Sequence, residues 1–268
     1  MRDVIIPRIH GIDMNEEQPT SRVKSVDTTL DVIQCLHRHG TASIEEIAAE
    51  TGRGSSTVHR HLVTLRERGY VIDDGGAYRL SLMFLTRGGV VRASTPAAEL
   101  LDRKVRQISE ETGERAQFMT EENGQRVYVF THSGPSGVKT DATVGKRGPL
   151  HVSAAGKAIL AFLPAERIDE ILDAAAFDQG SPNAITDRDT VESELAAVRE
   201  RGYAFNDEES TEGLRAVGVP VRFDDESVLG AISVSGPAHR FRDEYFREEL
   251  PDLLLGAANE LELNLKYP

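Results

Sequence analysis

At 268 residues the chain can hold two domains with their own cores, or one large one. Hydrophobic residues make up 39%, no apolar run nears the roughly 18 residues of a membrane span, and the opening apolar patch, Val4 to Ile6, is too short for a signal peptide. Net charge is −13, from 31 Lys and Arg against 44 Asp and Glu, and the lone Cys35 supports neither a disulfide framework nor a thiolate metal site, so a cytoplasmic protein without a membrane partner is expected.

Residues 1–21 mix Pro, Asn, Glu and Gln without periodicity and read as a flexible tail, with Met14 as an alternative start. Arg22 and Lys24 form a small basic arm, as easily solvated as bound to phosphate. Asp27 is the expected cap of a helix running to about His39, with Leu30, Ile33, Cys35 and Leu36 as its apolar stripe and Gly40 as its end. Ser43 and Glu46 form a capping box for a second helix that buries Ile44, Ile47 and Ala48. Gly52 and Gly54 then make a turn, and Ser55 or Ser56 is expected to cap a third helix.

In that third helix Val58, Leu62 and Leu65 recur at four- and three-residue spacing, giving one narrow buried stripe. The other faces carry Ser56, Thr57, His59, Arg60, His61 and Thr64, a set that suits a DNA major groove. Arg60 is the candidate for a bidentate contact to guanine, while Ser55, Ser56 and Thr57 sit where a helix N-terminus favours phosphate. Packing alone is the alternative role for one of the two histidines, and a plain polar helix surface is the competing reading of the whole face. The segment from Arg53 to Tyr70 holds four Arg and two His against one Glu, so Arg53 joins the candidate DNA contacts. Two strand-like runs flanking Asp73-Asp74-Gly75-Gly76 read as a hairpin wing, with Arg79 at its base placed to meet a phosphate. Residues 22–83 therefore read as a winged helix-turn-helix domain: three helices plus a β-hairpin.

A linker helix is expected over 84–95, broken or softened by Gly88-Gly89, and Pro96 is expected to open a longer helix with Leu100, Leu101, Val105 and Ile108 facing a core. Strands meet at the Asn123-Gly124 turn, a loop enters a helix near Ala154, and helices are expected at Pro164–Ala174 and Asp187–Arg201. Three further strands follow, with Asp224-Asp225 as the last hairpin turn, then a helix from about Arg242 to Leu263. This order predicts an α+β domain over 84–268 with a central antiparallel sheet. Charge is divided unevenly: residues 1–82 hold 10 basic and 12 acidic side chains and 83–268 the other 21 and 32, for nets of −2 and −11. With Lys scarce, the acidity reads as a surface adapted to high salt, the plainer alternative being an ordinary acidic regulator.

Three blocks in order, LHVSAAGKAILAFLP, DEESTEGLRAVGVPV and AISVSGP, together with IAAETG…SSTVHRHLVTLRERGYV and the YRLS wing, resemble the IclR family of transcription regulators over nearly the whole chain from Arg22. The resemblance implies a GAF-like effector-binding domain, a homodimer or homotetramer, palindromic double-stranded operator DNA, and a small-molecule effector, with carbon catabolism as the setting and no cofactor. Carried over position by position, it implies an effector pocket formed by Ala154, Ala155, Asn206, Asp207, Ala216, Ser233 and Ser235. Ala216 stands where family members often have Cys, and Asn206-Asp207 where they have an acid pair, which points away from glyoxylate or pyruvate as the effector.

Other chemistries are weaker. GPLHVSAAGKA fails as a phosphate-binding loop, because Gly148 and Gly156 are too far apart and Ala158 replaces the hydroxyl residue that holds magnesium; Lys157 is expected to anchor the helix start or neutralise the turn at 207–209. Ser153, Ser233, His132, His151, His239 and Asp207 supply the residue types of a hydrolase triad without a nucleophile elbow. His37 with His39, and His59 with His61, diverge by about 200° on helices and cannot share an ion. A convergence of His132, His151 and Asp207 stays open, as do an enzyme working through the C-terminal pocket and an architectural DNA binder with a vestigial sensor.

Overall fold

The computed structural model describes residues 23–138, 142–178 and 180–267. The expected tail at 1–21, Met14 and Arg22 lie outside the described residues. The chain divides into two compact units between Val90 and Val91.

In the first unit, α1 (Lys24–His39), α2 (Ile44–Thr51) and α3 (Ser55–Glu67) precede a small sheet of β1 (Thr41–Ala42), β2 (Val71–Asp73) and β3 (Tyr78–Leu80), ordered β1-β3-β2. Helix α1 starts three residues before Asp27, which lies in its first turn and does not cap it. Its buried side is Thr28, Val32, Cys35 and Leu36, whereas Leu30 is exposed. That set has i, i+4, i+7, i+8 spacing, and it was hidden because it begins on a threonine. The Thr28 hydroxyl donates to the Lys24 carbonyl at 2.9 Å, which lets the residue turn inward with its polar atom satisfied. The capping box on α2 forms as expected: the Glu46 N–H donates to Ser43 Oγ at 3.2 Å and the Ser43 N–H to Glu46 Oε2 at 2.7 Å. Extended Gly54 is the N-cap of α3, so Ser55 and Ser56 are its first helical residues rather than its caps. Val58, Leu62 and Leu65 fill the core between α1, α2 and the hairpin. Helix α4 (Met83–Ala93) runs unbroken through Gly88-Gly89 and buries none of its residues.

The second unit is built on a six-stranded antiparallel sheet ordered β6-β5-β4-β9-β8-β7. Its strands are β4 (Arg115–Glu122), β5 (Gln125–Ser133), β6 (Arg147–Pro149), β7 (Ala204–Asp207), β8 (Leu214–Arg222) and β9 (Val228–Pro237). Alternation along β8 and β9 sends Val217, Val219, Val221, Ile232 and Val234 to one face, where they pack with α5 (Ala98–Thr112) and α9 (Leu250–Lys266). The opposite face meets α6 (Ala154–Leu160), α7 (Ala165–Asp173) and α8 (Arg188–Arg201), whose apolar sides form a second core with Met119 and Ala231. Helix α5 begins at Ala98, two residues beyond Pro96, after Ala97 at φ +54°. The last helix is not continuous from Arg242: a π-helical turn at Tyr245–Glu249 leads into α9, whose second residue is Pro251. Proline has no N–H to continue the ladder, so the hydrogen bonding resets at that point. No described helix is long and apolar enough to cross a membrane.

Candidate functional site

The first unit presents α3. Arg60 is exposed and lies about 200° around the axis from buried Val58. Ser55, Ser56, His59 and Thr64 are also exposed and Thr57 is half-buried, so one polar face is continuous along the helix. No side chain caps its N-terminus among the described residues; the Thr57 N–H already donates to the Gly54 carbonyl at 2.8 Å, and the Ser55 and Ser56 amides ahead of it face an outside acceptor. His61 departs from the expected set: its Nδ1 lies 2.9 Å from the Thr29 hydroxyl of α1, and its ring flanks the buried stripe. This histidine ties α3 to its scaffold. Two expected DNA contacts already have partners inside the chain. Arg53 meets Asp31 at 3.3 Å, and Arg79 donates to Asp74 at 2.7 Å in the hairpin turn. Asp73 is held in that turn by the Gly76 N–H at 2.9 Å, and this bond foremost keeps its carboxyl below the usual carboxylate range.

In the second unit the small residues of the sheet leave a hollow. Across the strands Asn206 pairs with Ala216 and Ala216 with Ser235, while in the next row Gly218 pairs with Ser233 and Ser233 with Gln117. Because alternate residues share a face, Ala216, Gly218, Ser233 and Ser235 all point away from the valine face. Helix α6 closes the hollow from above. Its N-cap Ser153 accepts a hydrogen bond from the Gly156 N–H at 3.1 Å. A Cβ on Gly156 would stand 2.0 Å from the Leu150 carbonyl oxygen, and one on Gly218 2.5 Å from the backbone of Ala154 and Ala155, so both positions require glycine.

The result is a cavity of about 300 Å³. Of the seven residues expected there, Ala154, Ala155, Asn206, Ala216, Ser233 and Ser235 line it together. Asp207 does not. It is the next residue along β7 from Asn206, and its carboxylate bonds Arg215 at 2.6 Å and Arg247 at 3.2 Å. Asn206 spends its side chain on the loop, taking the Glu209 N–H at 2.9 Å and donating to Ser210 Oγ at 2.6 Å. Gln117, Met119, Arg126, Tyr128, Lys146, Ser210, Thr211 and Leu214 complete the lining, and none of these was among the expected residues. Gln117 donates to Ser235 Oγ at 2.9 Å, and its buried Oε1 has no partner among the described residues. Two cations and several hydroxyls border the space, and no carboxylate lines it among the described residues.

Behind α6, Lys157 is almost wholly buried and gives both its short bonds to Glu209, at 2.6 and 2.7 Å, the second of its two expected roles, neutralising the 207–209 turn. His151 packs on Phe177 with ring centroids 5.1 Å apart. Burial first, then the Lys157 and Arg126 cations, holds its imidazole below the ordinary histidine range. His132 bonds Asp102 at 2.8 Å, so His132, His151 and Asp207 have separate partners and do not converge on a metal or a triad.

Two family models match the chain: the IclR helix-turn-helix domain over residues 25–75 and the bacterial transcriptional regulator IclR C-terminal domain over residues 91–263. The "Probable HTH-type transcriptional regulator ArcR" of Halobacterium salinarum is 34% identical over 249 residues, covering 91% of this chain and 95% of that protein. The HTH-type transcriptional regulator KdgR of Escherichia coli is 28% identical over 254 residues, covering 94% and 96%. Among solved structures, the Thermotoga maritima IclR superposes with a TM-score of 0.76 at 27% identity, covering 91% of this chain and 98% of that one.

Proposed function

The chain belongs to the IclR family of transcriptional regulators, and we propose that its exposed α3 face reads an operator half-site while the cavity under α6 takes a small polar metabolite. The meeting of six residues named from the family pattern around one cavity is the observation that carries this reading. Its lining calls for a compact ligand with several hydrogen-bonding groups: Ser233, Ser235 and Tyr128 offer hydroxyls, and Gln117 Oε1 wants a donor. The absence of an acid among the described lining residues, with Arg126 and Lys146 at the border, favours a neutral or anionic ligand. Asp207 belongs to the wall behind, where it fixes Arg215.

In this reading residues 22–83 form the DNA-binding domain, 84–95 the linker and 84–268 the effector domain. Leu82, Leu85, Val90 and Val91 are each about 70% exposed on or beside α4, more apolar surface than a short helix leaves to water. A second copy covering it gives a homodimer or a dimer of dimers, which sets two α3 helices on a palindrome one helical turn or more apart. Ligand binding then alters their spacing through the linker, in the cytoplasm and in the service of carbon catabolism. Since Arg53 and Arg79 are already paired with Asp31 and Asp74, Arg60 bears most of the recognition.

Two variants test the reading. Arg60→Ala removes specific operator binding and keeps the fold, and retained sequence-specific binding assigns the reading face elsewhere. Ser235→Leu fills the cavity, keeps operator binding and removes the metabolite response in a gel-shift titration. An unchanged dose response places the ligand outside this cavity. An enzyme working through the same cavity is separated by following the bound metabolite, which leaves the regulator unaltered.

A further inference from the structure

The first unit contains a second cluster with chemistry of its own. Cys35 and His39 stand four residues apart on α1 and so share a face. Glu50, one residue before the end of α2, reaches the same point. The Cys35 sulfur, a ring nitrogen of His39 and a carboxylate oxygen of Glu50 all lie within 4.8 Å of one another, and no other three such residues do so among the described residues. We propose that Cys35, His39 and Glu50 form a three-ligand site for a zinc-class divalent metal ion that clamps the C-terminal ends of α1 and α2.

Counting thiols argues against such a site, because one cysteine cannot make a multi-thiolate centre. The fold supplies what the count lacks. Sulfur, imidazole and carboxylate in one set match a borderline-soft ion, and with His39 and Glu50 exposed at helix ends, small rotamer changes bring the donors onto one centre. The surroundings suit the role. Cys35 is fully buried, while His39 and Glu50 open to solvent, so an ion can enter from the surface. Arg38 holds the second oxygen of Glu50 at 2.5 Å, orienting the carboxylate as outer partners of metal ligands do. Within the cluster Glu50 contacts His39 Nε2 and also accepts from the thiol. Burial first, and that bond next, push the Cys35 thiol above its ordinary range. On binding, the thiol proton leaves to solvent as the sulfur–metal bond forms, and Glu50 exchanges its hydrogen bonds for the ion. One thiolate and one carboxylate then balance a divalent charge.

The site makes no use of operator or effector binding, so it stands or falls independently of the regulator reading. The plainer alternative is a surface Glu50 paired with Arg38 and His39 above an inert buried thiol. The full-length protein, reduced and stripped with a chelator, is titrated with Co²⁺ alone while absorption is followed. We expect one equivalent to give thiolate-to-cobalt charge transfer and the visible bands of a four-coordinate ion, both removed by added Zn²⁺. Cys35→Ala abolishes the charge-transfer band. His39→Asn, at an exposed position that leaves the core intact, weakens Co²⁺ binding by more than the roughly 10–100-fold that loss of an outer partner costs. No charge-transfer band with the wild-type protein, or Co²⁺ affinity unchanged by His39→Asn, overturns the proposal.

Discussion

Removing the Glu209 carboxylate tests how the C-terminal unit holds α6 over its cavity. Lys157 is 2% exposed, and both of its bonds to Glu209 are short. The other acid near it, Glu194, is 3.9 Å away and already accepts from Arg201 at 2.6 Å. Glu209→Ala therefore strands a buried ammonium, a change that costs roughly 3–5 kcal/mol in comparable pairs. For a unit of this size that lowers the melting midpoint by about 6–20 °C. The assay is a circular-dichroism melt of the full chain at fixed ionic strength. A second variant separates the lost pair from lost packing. Lys157→Met combined with Glu209→Leu removes both charges together and recovers most of the loss, since an apolar pair of similar volume is neutral or better. A drop corresponding to less than about 1 kcal/mol, the range of a solvent-screened surface pair, refutes the argument that burial makes this pair matter.

His151 predicts an acid-side loss. Its imidazole is held low in the folded unit, so below pH of about 6.5 the unfolded chain takes up a proton that the folded chain refuses. Stability should fall as pH drops through that value, and His151→Phe should flatten the slope in melts taken between pH 7 and 5, roughly the range over which histidine titrates. Gly218→Ala puts a Cβ 2.5 Å from the backbone of α6, with an expected cost of roughly 1–3 kcal/mol and loss of ligand binding; a variant as stable as wild type argues that α6 moves freely against β8. Under the proposed dimer, Leu85→Asp with Val90→Asp should give monomers by light scattering and abolish binding to a two-half-site operator, and a mass unchanged from wild type removes α4 from the proposed dimer surface.

What could be read in advance was local. The α2 capping box, the glycine-rich hairpin and the Val58, Leu62, Leu65 stripe are each written within a few residues and form as expected. The stripe of α1 was misjudged because Thr28 takes an inward place that composition gives to leucine. Asp207 was avoidable: adjacent residues of a strand face opposite sides, so it and Asn206 could not both line one cavity. The cavity itself was partly visible as a rhythm, small residues alternating with valines in LRAVGVPV and AISVSGP. Gln117, Arg126 and Tyr128 gave no such signal, since only sheet pairing brings β4 and β5 to that wall. The Cys35 cluster was missed for the same reason, its third member lying on another helix.

The strand order has a consequence for the order of events as the protein is made. Arg115 pairs with Ser235, so β4 finds its inner neighbour 120 positions later in the chain. The first unit, by contrast, closes on itself within the segment that ends at Val90. Long-range pairing of this kind is slow, and domains leaving the ribosome fold from the N-terminus. The DNA-reading unit is thus complete while the sheet under α6 still lacks its middle. A nascent or truncated chain that ends before β8 and β9 carries a finished reading head and no chamber, since Ala216, Ser233 and Ser235 arrive with those last strands. Loss of the C-terminal strands should therefore leave a short-lived species that answers to DNA and to nothing else.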